Sequence, residues 1–486
     1  MRPSARARFA RALAPASLAS LLLAGCMVGP DYRRPAIDTP SAYLYEPRQA
    51  AATADVEWWK QFDDPVLDQL IAEALAHNRN VMIAAANVEQ AAGVLETTRA
   101  PMFPQVGYQG NAARARFSSQ NTTALGNVTN PTNAYQLLAG ASWEIDLWGR
   151  IRRQTEAARA NVLATDEARR GVILSLVSSV AAEYLTLRAL DEQLAMATRT
   201  QASYAESLRL MELQFKYGRV SAMNVEQAKS RYETASAEIP ALRREIAQRQ
   251  DSLSVLLGRN PGPIARGKPI FALGVPQVPA GVPSELLERR PDLLQAEQQL
   301  IAANAQIGAA KALYFPTISL TGALGTASTQ LSSLFSGPTK AWSFAGSVVG
   351  PIFTAGSIAG QVTQAEAAQK AALLSYQQAI QNAFADVDTA LSARQELGDQ
   401  VAAQEKLVDA LQAYEKLAKT LYDGGRVPYS TVLQAQEQLF PAQLNYAAAR
   451  GQLLASVVGI YKAMGGGWVD KADAMTGSRA DRPSAD

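Results

Sequence analysis

The chain has 486 residues, of which 48% are hydrophobic and 19% charged, and its net charge at pH 7 is +2. This length is enough for a large core, and so small a net charge argues against a nucleic acid as partner. The single Cys and the single His exclude a disulfide framework, a Cys/His zinc site and any catalytic pair that needs a histidine other than His77. We therefore expect no enzymatic activity, no metal site and no cofactor.

The first 25 residues predict a secretory signal peptide. Residues 1–11 contain four arginines, and an apolar stretch that ends in small residues follows them. The only cysteine, Cys26, stands directly after "LLAG", and this stretch resembles the lipobox of bacterial lipoproteins, whose cysteine is acylated and becomes the mature N-terminus. The resemblance implies a covalent lipid on Cys26, and Met27 in place of an aspartate favours the outer membrane. The alternative is an ordinary signal peptide that happens to contain a buried cysteine.

The two halves of the remaining chain repeat one another. "GRVSAMNVEQA" starts at Gly218 and "GRVPYSTVLQA" at Gly425, 207 residues later, and six of their eleven positions are identical. Residues 80–110 also match residues 292–322 without a gap, including a Phe-Pro pair in each. The repeat predicts the same order in each half: a helix, a Phe-Pro break, a segment of about 45 residues, a long helix, a Gly turn and another helix. The Pro-rich stretch 258–283 between the halves cannot be a regular helix.

The long helices are predicted from about residue 149 to 218 and from 356 to 424, where proline is absent. At 1.5 Å per residue, each helix would be about 100 Å long. One stripe at spacings of three and four consists of Leu190, Leu194, Ala197, Gln201, Tyr204, Leu208, Met211 and Phe215, and its counterpart of Leu407, Ala410, Tyr414, Leu417 and Leu421. A second stripe on the later helix contains Val401, Gln404, Val408 and Leu411. Two stripes predict packing on two sides, as in a barrel wall, although a plain antiparallel coiled coil fits the helices equally well.

In four stretches apolar and polar residues alternate, and this alternation decides between the barrel wall and the coiled coil. No stretch after the signal approaches the roughly 18 apolar residues of a transmembrane helix, so a membrane crossing requires strands. The alternating apolar positions are Val106, Tyr108 and Ala112; the odd positions from Tyr135 to Leu147; Ile318, Leu320 and Leu324; and Trp342, Phe344 and Val348. An apolar face over about ten residues is typical of a transmembrane β-barrel strand. Four strands cannot close a barrel, so protomers must pool them, and three copies would supply twelve.

Several motifs, in the same order, resemble the TolC-like outer-membrane factors of tripartite efflux pumps, in particular the lipoprotein branch related to OprM and NodT. They are "CMVGPDYRRP" at 26–35, "WWKQFDDPVLDQLIAEAL" at 58–75, "WEIDLWGRIRR" at 143–153, "LLERRPDLLQAEQQL" at 286–300 and "PIFTAGS" at 351–357. The resemblance implies a mixed α/β membrane protein, a homotrimer with a 12-stranded transmembrane β-barrel to which each protomer gives four strands. A long periplasmic α-helical barrel continues from it, with a mixed equatorial domain.

The same resemblance implies a cellular location and protein partners. The protein would be a passive exit duct for drugs or toxic compounds in the outer membrane of a Gram-negative bacterium, and would extend into the periplasm. Its partners would be a periplasmic adaptor (membrane fusion) protein and an inner-membrane RND transporter. A duct for protein secretion is the nearest alternative, and a periplasmic coiled-coil lipoprotein scaffold without a pore is another. The alternating strands favour a channel over the scaffold.

Candidate site residues follow from the resemblance. Both Gly turns would lie at the periplasmic tips of helical hairpins and dock the adaptor through Gly218, Arg219, Val220, Gly425, Arg426 and Val427. The second hairpin would form the periplasmic gate with Tyr422, Asp423, Arg426, Gln434 and Glu437. Members of the family often carry an acidic residue at the position of Gln434, so Asp423 or Glu437 would have to supply the missing carboxylate. Pro428 suits the first turn of the following helix.

The predicted segments are a lipoprotein signal peptide (1–25), a lipidated N-terminal segment in the equatorial belt (26–64), a first repeat (65–258), a linker (259–284), a second repeat (285–467) and a flexible C-terminal tail (468–486). Within the linker, "GPIARGK" at 262–268 matches the start of a phosphate-binding loop. Pro269 replaces the required Ser or Thr, and no strand and helix flank the motif, so nucleotide binding is rejected.

Overall fold

The computed structural model describes residues 27–37, 39–40, 42–45, 56–116, 118, 131–278, 286–465 and 467–476. The predicted signal peptide and the predicted lipid site at Cys26 lie outside these residues. The described helices are α1 (Pro65–His77), α2 (Arg79–Arg99), α3 (Arg150–Lys216), α4 (Ala222–Leu256), α5 (Leu286–Arg289), α6 (Pro291–Ala312), α7 (Ser357–Asp423), α8 (Tyr429–Met464) and α9 (Trp468–Ala474). The strands are β1 (Gln105–Ala115), β2 (Thr132–Ile145), β3 (Thr317–Ser328) and β4 (Lys340–Val349).

The predicted repeat is confirmed by the order of elements. The run α2, β1, β2, α3, α4 in the first half recurs as α6, β3, β4, α7, α8 in the second. Both long helices have 67 residues, which corresponds to about 100 Å. By length and composition α3 alone among the described helices could cross a membrane, but 67% of its most apolar window is buried inside the protein, as in a core helix.

The four predicted strands form one antiparallel sheet in the order β1-β2-β3-β4. Its register places Tyr108 opposite Ala139, Ala139 opposite Leu324, and Leu324 opposite Trp342. Most apolar side chains therefore share one face, and most polar side chains share the other. The predicted alternation in the second strand extended two residues too far, because β2 ends at Ile145 and Leu147 lies outside it.

The described residues belong to two compact units, each assembled from separate segments of the chain. One unit consists of the described residues within 1–36, 88–165 and 296–376 and contains the sheet with the adjoining helix ends. The other consists of the described residues within 37–87, 166–295 and 377–486 and contains most of both long helices.

An aromatic cluster forms part of the core of the second unit. Trp58 stacks on Tyr461 with ring centroids 5.3 Å apart, and Trp468 meets both Trp58 and Trp59 edge to face. Trp468 is fully buried and is the first residue of α9. The prediction of a flexible tail from residue 468 is therefore wrong for residues 468–474, because an aromatic anchor and ion pairs hold this helix; residues 477–486 lie outside the described part.

The two predicted stripes of α7 have different environments. Val401, Val408 and Leu411 are buried against α8, as predicted for one side of a barrel wall. Leu407 and Leu417 of the other stripe are 50% and 62% exposed. A single chain thus buries one side of the helix and leaves Leu407 and Leu417 on the other side uncovered.

Candidate functional site

The first hairpin turns at Gly218, between α3 and α4. Gly218 has a φ of +67°, in the left-handed region that favours glycine. Its N–H donates to the carbonyl of Phe215 at 2.9 Å, and the N–H of Arg219 donates to the carbonyl of Gln214 at 2.9 Å. These two bonds form a Schellman motif, which satisfies the last carbonyls of the helix.

The second hairpin turns in the same way at Gly425, between α7 and α8. Its φ is also +67°, and its N–H donates to Tyr422 O at 2.9 Å, while Arg426 N–H donates to Leu421 O at 2.8 Å. The predicted Gly turns are confirmed, and both glycines form left-handed helix caps. Pro428 lies one residue before α8, as its N-cap, and not within its first turn as predicted.

The predicted docking residues are all in these turns. Gly218, Arg219, Gly425 and Arg426 are exposed, whereas Val220 and Val427 are half-buried. The turn uses only the backbone of each arginine, so the geometry of the cap leaves both guanidinium groups at the surface.

A small apolar core joins the two hairpins just behind the turns. It contains Met211, Ala228, Ala418, Tyr429, Val432, Leu433 and Ala435, from α3, α4, α7 and α8. The ring of Tyr422 lies 5.1 Å from the ring of Tyr429 and packs against this core. The corresponding ends of the two repeats therefore contact each other within one chain.

Polar contacts also link the hairpins. Tyr422 Oη donates to Gln214 Oε1 at 3.5 Å, and an Arg231 guanidinium nitrogen lies 3.0 Å from Glu437 Oε2. The predicted gate residues Tyr422 and Glu437 thus each have a partner on the first hairpin. Gln214 and Arg231 were not predicted from the sequence, because nothing local marks contacts between residues more than 200 positions apart.

Three other predicted gate residues have different surroundings. Asp423, Arg426 and Gln434 are exposed. The structure therefore brings Tyr422 and Glu437 into contacts between hairpins and leaves these three side chains at the surface of the chain.

About two turns further along α8, a buried hydrogen-bond chain crosses between helices. Tyr204 Oη donates to the backbone carbonyl of Gln436 at 3.1 Å, and Gln436 Nε2 donates to Glu415 Oε1 at 3.0 Å. Burial raises the pKa of Tyr204 to about 12, so its hydroxyl keeps its proton and remains a donor at physiological pH. Burial likewise raises the pKa of Tyr429.

The motif "WEIDLWGRIRR" forms the junction between β2 and α3. The carboxylate of Asp146 accepts the N–H groups of Ile151 and Arg152 at 3.1 and 2.9 Å, and so caps the start of the helix. Glu144, near the end of the strand, accepts two bonds of 2.8 Å from Arg150, the first residue of the helix. These contacts explain the acidic and basic positions of the motif.

The segment that follows the predicted lipid site lies against this junction. Val28 N–H donates to the carbonyl of Trp148 at 3.1 Å, and Asn304 Nδ2 donates to Pro30 O at 2.9 Å. The buried guanidinium of Arg153 pairs with Asp31 at 2.7 Å. The chain just after residue 26 is therefore fixed at the level where the strand becomes a helix.

The phosphate-loop-like stretch has a structural role. Gly267 N–H donates to Tyr184 Oη at 2.9 Å, and an added Cβ at Gly267 would lie 2.0 Å from Asp64 Oδ1. Lys268 pairs with Asp63. The glycine and the lysine are thus explained by packing. Among the described residues, no group of three or more His, Cys, Asp or Glu side chains is arranged to hold a metal ion.

A family model described as "Outer membrane efflux protein" matches residues 70–259 and 282–466, one match for each repeat. The chain belongs to the outer membrane efflux protein family. Cation efflux system protein CusC of Escherichia coli O6:H1 is 36% identical over 461 residues, which cover 92% of this chain and 97% of CusC. Toluene efflux pump outer membrane protein TtgI of Pseudomonas putida is 38% identical over 464 residues, which cover 93% of this chain and 97% of TtgI.

Solved channels of outer membrane efflux proteins also share the fold. The open state of the MtrE outer membrane channel of Neisseria gonorrhoeae superposes with a TM-score of 0.83 at 31% identity, over 91% of this chain and 99% of MtrE. The chain is thus an outer-membrane efflux channel of the trimeric, TolC-like fold, in which the four-stranded sheet is one third of a barrel. It acts in tripartite efflux and extends into the periplasm of a Gram-negative bacterium. The trimer explains why a single chain leaves Leu407 and Leu417 of α7 exposed, since a neighbouring protomer can cover them.

Proposed function

We propose that this chain is a passive exit duct that opens and closes where its two hairpins end, together with a periplasmic adaptor protein and an inner-membrane RND transporter. It would perform no catalysis and would carry a lipid on Cys26 as its only attached group. The observation that supports a gate at this end is the pair of contacts between hairpins, Tyr422 with Gln214 and Arg231 with Glu437.

In this proposal the duct opens when α7 and α8 move away from α3 and α4. That movement separates Tyr422 from Gln214 and Arg231 from Glu437. The side chain of Glu437 is 70% exposed, so the ion pair stabilises the closed state by at most about 1 kcal/mol. Shifting a closed state from 99% to 1% requires about 5.5 kcal/mol, so adaptor binding would have to supply most of it. The contacts therefore adjust the gate and do not lock it.

The exposed tips are the proposed docking surface for the adaptor. The backbone N–H groups of Arg219 and Arg426 form the hydrogen bonds of the turns. Their side chains are exposed and remain free to pair with acidic or carbonyl groups of a partner. Tyr217 and Met223, 70% and 65% exposed, flank the first turn and would supply apolar contact area. Two such tips per chain give six per trimer.

Single-channel conductance in planar bilayers tests the gate. We expect Arg231→Ala, Glu437→Ala and Tyr422→Phe each to raise the open fraction of the full-length trimer, by up to about fivefold for an exposed contact. Glu206→Ala is the matched control, because it removes an exposed ion pair with Arg209 that lies within α3 alone. An unchanged open fraction in all three gate variants, or an equal rise in the control, would contradict the proposal.

A further inference from the structure

The polar face of the sheet has a composition of its own. Because the apolar face carries Tyr108, Trp342 and Phe344 at 71–88% exposure, the opposite face is the one that lines water in a membrane barrel. The register places on this polar face Gln105, Gln109, Asn111, Gln136, Ser142, Glu144, Ser319, Thr321, Ser343 and Ser347. Nearly all of these side chains are neutral hydrogen-bonding groups.

Charge on this face is confined to one position. The described strand residues include three charged side chains, Arg114, Glu144 and Lys340. Arg114 shares the face of Tyr108, and Lys340 shares that of Trp342, and both lie at the strand ends remote from the long helices. Glu144 is thus the only charged residue that the described strands place on the polar face.

The negative charge of Glu144 is neutralised by Arg150. Both of its carboxylate oxygens accept bonds of 2.8 Å from Arg150. The two side chains are 29% and 26% exposed, so the pair remains in contact with water. Both bonds come from one guanidinium nitrogen, Nη2, and such charge-assisted bonds are stronger than neutral ones. In a trimer the pair occurs three times, at the junction between strands and helices.

We propose that the Glu144–Arg150 pair sets the electrostatic selectivity of the duct at the periplasmic end of its strand barrel. Intact, the pair cancels the single charge on a neutral wall, so cationic, anionic and neutral molecules meet no ring of fixed charge there. Removal of either partner leaves three like charges around the passage. This inference rests on the channel fold and is independent of the gate at the helix tips.

A thiol reporter tests the proposal without requiring the gate to open. Ser142→Cys places a thiol two residues from Glu144 on the same face, and reagents reach it from the extracellular side. The ratio of modification rates by a cationic and an anionic thiosulfonate is then measured in full-length trimers. At about 0.1 M salt we expect Glu144→Gln to lower this ratio roughly threefold and Arg150→Gln to raise it by a similar factor.

Three further variants separate this effect from structural damage. The double variant Glu144→Gln/Arg150→Gln has no net charge at the site and should restore the wild-type ratio. Lys340→Gln makes the same charge change as Arg150→Gln, but on the apolar face, and should leave the ratio unchanged. Ser319→Cys, opposite Glu144 on β3, provides a second reporter that should give the same signs. The parent chain without a reporter measures background labelling.

Two results would overturn the proposal. Equal ratios in Glu144→Gln, Arg150→Gln and the parent reporter would show that the pair does not control the local potential. Failure of both reporters to react with either reagent in folded trimers would show that this face does not line water.

Discussion

The guanidinium of Arg169 forms a buried bidentate ion pair with the carboxylate of Asp473 and so fixes the terminal helix α9 against α3. Its hydrogen bond to Asp473, together with the attraction of that carboxylate, raises the pKa of Arg169 despite burial. A neighbouring pair, Arg170 with Asp470, joins the same two helices, but the Asp470 side chain is 57% exposed. The two pairs provide a matched comparison between a buried and an exposed ion pair.

We expect Asp473→Ala to destabilise the protein by up to about 3 kcal/mol, because the buried Arg169 loses its buried carboxylate partner and keeps only Asp166, which is 35% exposed. Asp470→Ala should cost no more than about 1 kcal/mol, because the exposed pair is screened by water. Denaturant unfolding of the trimer, followed by the fluorescence of the aromatic cluster that includes Trp468, measures both. Equal losses of stability in the two variants would show that burial does not determine how much each ion pair stabilises the protein.

The two turn glycines should respond alike to substitution. Both have a φ of +67°, and an added Cβ at either would meet no atom within 4 Å, so strain of the backbone is the only cost. We expect Gly218→Ala and Gly425→Ala each to destabilise the local turn by about 1–2 kcal/mol, and the Asn variants by less. Hydrogen exchange of the Arg219 and Arg426 amides measures this loss.

Gly360→Ala is the control for these turns. Gly360 lies inside α7 and has open space around it, so alanine should instead stabilise that helix by about 0.5–1 kcal/mol. A stabilising effect of alanine at Gly218 or Gly425 would refute the left-handed turn geometry.

The proposed gate should depend on ionic strength. Raising salt from about 0.1 to 1 M shortens the screening length from about 10 to 3 Å and weakens an exposed pair such as Arg231 with Glu437. We expect the open fraction of the wild-type channel to rise with salt, and that of the Arg231→Ala/Glu437→Ala double variant to change much less. Single-channel recordings normalised to bulk conductivity measure this difference. Parallel salt curves would exclude this ion pair from gating.

Tyr204 should give a characteristic alkaline transition. Its pKa is raised from 10.0 to about 12 by burial, so the folded state holds this proton more tightly than the unfolded state. The resulting stability is complete below about pH 10 and is lost as the pH rises through about 12. We expect the difference in stability between wild type and Tyr204→Phe to be constant up to pH 10 and to shrink above it. A constant difference throughout would show that Tyr204 does not titrate with unfolding.

Much of the fold follows from local pattern. Period two along β1 to β4 predicted the strands, and the end of β2 was misjudged only because Leu147 continues the alternation after the backbone has left the sheet. The terminal helix was missed because seven residues carry too little periodicity, and its order depends on burial of Trp468 and pairing of Asp473.

The candidate site was predictable only in part. The turns at Gly218 and Gly425 are visible in the sequence because a Schellman cap depends on six consecutive residues. Glu437 was singled out by position, but its partner Arg231 was not, since 206 residues separate them.

The sequence by itself determined the duplication, the long helices, the four alternating strands and the two glycine turns, because helix period, strand period and caps are properties of neighbouring residues. Only the tertiary structure decided which stripe of α7 is covered within the chain and which acidic residue meets Arg231. These contacts depend on the register between elements that fold back on one another, and that register is set by packing of the whole chain.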